Sequence, residues 1–142
     1  MATQTRIDLF EKTVNESYEW VNEVDRETGL DDRHYAFAAL RGTLHAIRDE
    51  ITADQSGHVS AQLPTLLRGV FFEGWDPSRI PADDRSVDGF LDHVRPAFMG
   101  YGRENDLPRI VRDTLTVLER KMPDVMAKVK HTLPRHVREV WP

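Results

Sequence analysis

Cysteine is absent from all 142 residues. Disulfides, cysteine-ligated zinc, iron–sulfur clusters and thiol nucleophiles are thereby excluded, while the redox compartment stays open. Long apolar runs are missing too: no stretch approaches the ~20 residues of a membrane span, and the start, MATQTRIDLFEKTVNE, has no basic segment followed by an apolar core. A chain without membrane span or secretory leader is expected, and with it a cytoplasmic location. Glycine-rich phosphate loops are also lacking, since GxxxxGK[ST] does not occur and GYGREND has too few glycines to cradle a diphosphate. Neither the G-x-S-x-G nucleophile elbow nor H-E-x-x-H is present. No cofactor is implied. The remaining composition, 39% hydrophobic and 30% charged, suffices for one globular domain over residues 1–142. A net charge of −5 argues against general affinity for nucleic acid.

Apolar positions recur at helical spacing in almost every long segment, which predicts an all-α protein. Ile7, Phe10, Val14, Tyr18, Val21 and Val24 form one stripe, opposite Lys12, Glu16, Glu19 and Glu23. Gly29 supplies a stop for this helix and Leu30 is placed to fold back on its last turn. Asp31 or Asp32 caps the next helix, whose buried face holds Ala36, Leu40, Leu44, Ile47 and Ile51. A polar turn is expected from Asp54 to Gly57. A short amphipathic piece then leads to Pro64, in the first turn of a helix through Leu66, Leu67, Val70 and Phe71, with Gly74 ending it and Trp75 packing across the end. Residues 76–85 read as a surface linker. Beyond it, Pro96 ends or bends the helix that starts near Ser86, 99–106 forms a loop, and Pro108 sits in the first turn of the following helix.

The second half resembles the first. LRGTLHAIRDEI (40–51) aligns with VRDTLTVLERKM (111–122) at an offset of 71, and QLPTLLRGVF (62–71) with TLPRHVREVW (132–141) at an offset of 70. Arg41 thereby matches Arg112, Arg68 matches Arg138, and Leu63-Pro64 matches Leu133-Pro134. WVNEV (20–24) can be laid on FLDHV (90–94) in the same register. Two repeats of about 70 residues, near 6–75 and 86–141, predict a pseudo-twofold helical bundle of six to eight helices, because one copy alone is too small to close a core.

The run QLPTLLRGVFFEGW, preceded by LRGTLHAIRDEI and followed by SVDGFLDHV, resembles the bacterial family called domain of unknown function 2267. The resemblance covers roughly 10–141 and is most specific at Leu63, Pro64, Leu67, Phe72, Glu73, Gly74 and Trp75. The second copy departs from it by ending at Trp141-Pro142 without the Glu-Gly step. What the resemblance implies is a helical fold with the Leu-Pro element twice; it carries no reaction, ligand or catalytic residue.

Candidate binding residues follow from the duplication and the charge pattern. Arg41, Arg112, Arg68 and Arg138 occupy equivalent points, and each either pairs with a carboxylate or with helix-end carbonyls, or forms a pseudo-symmetric site for an anion or acidic partner. Trp75 and Trp141 close equivalent short helices and either complete the core or, if exposed beside Phe71 or Phe72, mark a partner surface. Residues 1–54 hold 6 Lys or Arg against 12 Asp or Glu, whereas 108–142 hold 8 against 4. Arg120, Lys121, Lys128, Lys130, Arg135 and Arg138, with His131 and His136, are thus a candidate basic face for phosphates, unless they pair with the acidic half in cis or across a dimer. The six histidines show no metal-ligand spacing, and the adjacent pairs Asp49-Glu50 and Asp83-Asp84 lack the geometry for acid–base work. Neither a metal site nor a catalytic residue is expected. The reading that best fits is a non-enzymatic module for binding another protein or itself. Its rivals are a nucleic-acid or anion binder using the basic face, and an enzyme whose site is too scattered to read.

Overall fold

The structure is a computed structural model and describes residues 5–82, 86–99 and 106–142. Among these it contains seven α-helices and no strand: α1 (Asp8–Thr28), α2 (Arg33–Glu50), α3 (Ala53–Gln62), α4 (Thr65–Phe71), α5 (Val87–Val94), α6 (Leu107–Lys121) and α7 (Pro123–Thr132). The all-α bundle of six to eight helices is borne out. None of these helices is long and apolar enough to cross a membrane.

Local chemistry sets the boundaries. Gly29 ends α1 in the left-handed conformation, φ 67°, with its N–H donating to Asp25 O at 2.9 Å. Of the two predicted caps it is Asp32 that starts α2, accepting from the N–H groups of His34 and Tyr35. The turn expected at 54–57 is instead the first part of α3. The chain breaks two residues earlier, because Thr52 and Gln55 form a reciprocal capping box that starts a helix at Ala53. Gly74 ends the α4 segment at φ 67°, as its position predicts. Pro96 falls where α5 gives way to a 3-10 turn over Arg95–Phe98, and Pro108 lies in the first turn of α6. The expected loop at 99–106 lies mostly outside the described residues.

α2 is the central element. Its buried residues Ala36, Leu40, Leu44 and Ile47 make the predicted stripe, and Ala38, Ala39, Gly42, Thr43 and Ala46 are buried as well. Small residues on several faces let α1, α4, α5 and α6 all pack against it. α5 approaches α2 closely at Gly42, where an added Cβ would lie 2.9 Å from both Val94 Cγ1 and the Val94 carbonyl oxygen. α6 lies on α1 and α2, and α3 meets α7, where the Gln55 side-chain amide donates to Thr132 Oγ1. One apolar core runs through all of them, with Phe71, Phe90 and Phe98 fully buried. In the first half α2 is followed by α3, Leu63-Pro64 and α4; in the second α6 is followed by α7, Leu133-Pro134 and a 3-10 turn over Val137–Val140. The helices preceding them differ in length, 21 residues for α1 and 8 for α5.

The segment 76–85 carries a 3-10 turn over Pro77–Arg79, and the Ala82 N–H donates to the Asp49 carbonyl at 2.8 Å, which ties it to the end of α2. Asp83 and Asp84 lie outside the described residues.

Candidate functional site

The apolar stripe of α1 is divided. Its C-terminal part, with Trp20, Val21 and Val24, is buried against the bundle, whereas Ile7, Phe10, Val14 and Tyr18 are 54%, 60%, 39% and 50% exposed. α1 packs against α2, α4 and α6, and its buried residues all lie from Ser17 onward, while the same face stays apolar before it. Leu66 of α4 adds a further half-exposed apolar side chain beside them.

Between α1, α2 and α4 lies a groove of about 540 Å³, walled by Val14, Tyr18 and Val21 of α1, Phe37 of α2, and Leu66 and Val70 of α4. The Leu66 N–H donates to Thr13 Oγ1 at 2.8 Å and so holds the start of α4 against α1. At one rim the Arg33 guanidinium lies 4.3 Å from the centre of the Tyr18 ring, and His34 stands beside it. No carboxylate pairs with Arg33 among the described residues. The groove is therefore apolar along its length and cationic at one edge, a form suited to an amphipathic helix.

A second constellation lies where α2, α4 and α5 meet. Arg48 is buried, and its guanidinium donates to Asp49 of its own helix and to the carbonyls of Phe71 and Glu73, which closes the C-terminal end of α4. His93 Nδ1–H donates to Asp49 Oδ2 at 2.9 Å, and His45 Nε2–H donates to the Val70 carbonyl at 2.7 Å. Burial acts to raise the Asp49 carboxyl, but the hydrogen bonds from His93 and Arg48 outweigh it and hold the group below its usual range. The bond to Asp49 pushes His93 up against its partial burial, whereas burial pushes His45 down against its bond to Val70. Every donor here meets a fixed acceptor of the fold. The arrangement joins three helices.

The residues singled out from the sequence separate into different environments. Arg41 pairs with Glu73 at 3.1 Å on the surface. Arg68 Nε donates to the Ser60 carbonyl at 3.0 Å, and Arg138 donates to the carbonyls of Leu133 and His131 at 3.1 and 2.7 Å. Both of these arginines thus close the end of the helix before them, α3 and α7 respectively. Arg112 and Arg135 are exposed. Trp75 is half-buried with its ring 5.0 Å from that of Phe72, and Trp141 is buried with its indole N–H donating to Glu119. Phe71 is fully buried and Trp141 belongs to the core, whereas Trp75 packs on the partly buried Phe72, so the two tryptophans make no shared exposed face. Arg120 and Lys121 pair with Glu23 and Glu27 of α1, which directs two of the candidate basic residues onto the acidic half within the chain.

These positions can be set against known sequences. The family model for uncharacterized conserved proteins designated DUF2267 matches residues 17–140. The chain belongs to the DUF2267 family. No curated protein matches it. The resemblance read from the Leu-Pro and Phe-Glu-Gly-Trp elements is thereby borne out. In this DUF2267 protein the matched region begins at Ser17, so the exposed ridge formed by Ile7, Phe10 and Val14 lies just before it. Sequence reasoning placed that ridge on the core side of α1 and missed the groove. The heptad spacing of Ile7, Phe10, Val14 and Val21 was the available signal, because a regular seam of this kind also serves to pair helices. The junction of Arg48, Asp49 and His93 had no such signal, since it depends on α5 meeting α2.

Proposed function

We propose that this DUF2267 protein is a non-enzymatic protein-interaction module whose docking surface is the exposed ridge of α1 with the groove beside it. Its occupant is an amphipathic helix with apolar residues three and four apart, and with a carboxylate set to meet Arg33. The single observation that carries this reading is the exposure of Ile7, Phe10, Val14 and Tyr18 in one line. With Leu66 they present on the order of 450 Å² of apolar surface, at about 150 to 250 Å² for a fully exposed large side chain. That matches the about 300 to 600 Å² of the largest apolar patch on a typical monomer, a patch that is often functional. The pairing of Arg120 and Lys121 with α1 carboxylates supports this reading over the basic-face alternative.

A photo-crosslinking side chain placed at Tyr18, in the cells that make the protein, tests it. Expected are discrete protein adducts that are absent when the probe stands at exposed Lys128, and that are lost with Leu66→Asp and Val70→Asp. Adducts no more frequent than from Lys128 would overturn the reading. We propose in the same terms that the two halves arose by duplication and form one domain in the cytoplasm; the carbonyl-capping roles of Arg68 and Arg138 support the duplication.

A further inference from the structure

Resting on that docking surface, we infer that its occupant is α1 of a second copy, laid antiparallel with the twofold axis close to Val14. The argument begins with where ridge and groove lie. Ile7 and Phe10 form the ridge at one end of the exposed stripe, and Tyr18 and Val21 form a groove wall at the other end. A ridge and a groove displaced along one helix are brought together in both directions at once by a single operation, a twofold perpendicular to the helix. About Val14 this sets Phe10 of each copy beside Tyr18 of the other, and Ile7 beside Val21. The incoming end then lies in the groove walled by Phe37, Leu66 and Val70.

Charge follows the same register. On a helix, Glu11 lies on the side of the stripe that carries Tyr18, where Arg33 stands over the ring. The twofold keeps that side facing its own equivalent, so Glu11 of the second copy arrives level with Ser17 and Tyr18, beside Arg33. Among the described residues of the single chain, Glu11 pairs with exposed Arg6 alone, at 3.8 Å, and Arg33 has no carboxylate. Symmetry makes this complementary pair twice. The apolar area, on the order of 450 Å² per copy, is over half of the ~800 Å² that each partner contributes to a standard interface, before any polar rim is added.

The test uses the whole 142-residue chain, whose lack of cysteine permits single-cysteine probes. Light scattering is expected to give the mass of two chains, and Phe10→Asp the mass of one at unchanged helicity. Glu11→Arg and Arg33→Glu are each expected to weaken the dimer about tenfold, and the two together to restore it. Val14→Cys is expected to oxidise to a covalent dimer, while Lys128→Cys stays unlinked. A wild-type monomer, a dimer indifferent to Phe10→Asp, a failed charge swap, or absence of a Val14→Cys crosslink would each overturn the inference. A wild-type monomer that still forms crosslinks from position 18 to a different protein overturns this pairing alone and leaves the docking surface standing.

Discussion

The His93 Nδ1–H donates to a carboxylate and the His45 Nε2–H to a backbone carbonyl, so the two imidazoles answer differently to protons. His93 is raised above 6.5 by Asp49; its stabilisation is complete below that value and is lost as pH rises through the folded-state value. His45 is lowered below 6.5 by burial; its contribution is complete above that value and is lost as pH falls through the folded-state value. Urea midpoints at about pH 5.5 and about pH 8 separate the two. His93→Gln is expected to cost more at the acid pH and His45→Gln more at the alkaline one. Asp49, held low, keeps its contribution above 3.8 and loses it only as pH falls further. Arg48 is the residue on which this junction depends, because it donates to the Phe71 and Glu73 carbonyls and makes two of the three described hydrogen bonds to the Asp49 carboxylate. Arg48→Met would leave these acceptors without their donor and is expected to destabilise by about 3 kcal/mol, measured by chemical denaturation.

At the scale of elements, glycine separates packing from propensity. Gly42 sits in α2 where α5 ends against it, and an alanine methyl there would lie 2.9 Å from the Val94 backbone oxygen and 3.1 Å from Ala97 Cβ. Gly57 sits in α3 with nothing within 4 Å of the same added atom. Gly42→Ala is therefore expected to destabilise by about 1 to 3 kcal/mol through forced separation of the helices, whereas Gly57→Ala is expected to stabilise by about 0.5 to 1 kcal/mol. Denaturation of the two variants side by side gives opposite signs. The same contrast explains what the sequence disclosed about the fold. The stripe of Ala36, Leu40, Leu44 and Ile47 is local periodicity, and so is the stop at Gly29, and both were legible. The turn expected at 54–57 failed because Asp54 to Gly57 look like loop residues, although the deciding signal, Thr52 with Gln55, was in the sequence as a capping box. Of the candidate site, only the heptad spacing of Ile7, Phe10, Val14 and Val21 was legible. Exposure of half the α1 stripe depends on how far the neighbouring helices reach, and no residue in α1 reports that. Arg68 and Arg138 were legible as equivalents, and their helix-end carbonyls were among the anticipated partners.

For the whole molecule, the acidic first half and the basic second half have one described meeting place, α1 against α6, where Glu23 and Glu27 receive Arg120 and Lys121. Part of the charge polarity along the chain is therefore met within the chain, and the proposed dimer rests on the apolar seam with Glu11 and Arg33 at its edge. This separates the energetics of the fold from those of the dimer. Phe10 lies outside the core, so Phe10→Asp should leave the stability of dilute protein within about 0.5 kcal/mol of wild type. Leu44, fully buried in the centre of α2, should cost about 2 to 5 kcal/mol as Leu44→Ala at every concentration. Mass action then distinguishes the variants further, because a partner that binds only the folded chain stabilises it in proportion to its own concentration. The denaturation midpoint of wild type is expected to rise with protein concentration, that of Leu44→Ala to rise in parallel from a lower value, and that of Phe10→Asp to stay flat. Parallel, concentration-independent midpoints for all three would show that the ridge contributes nothing to stability through a second chain.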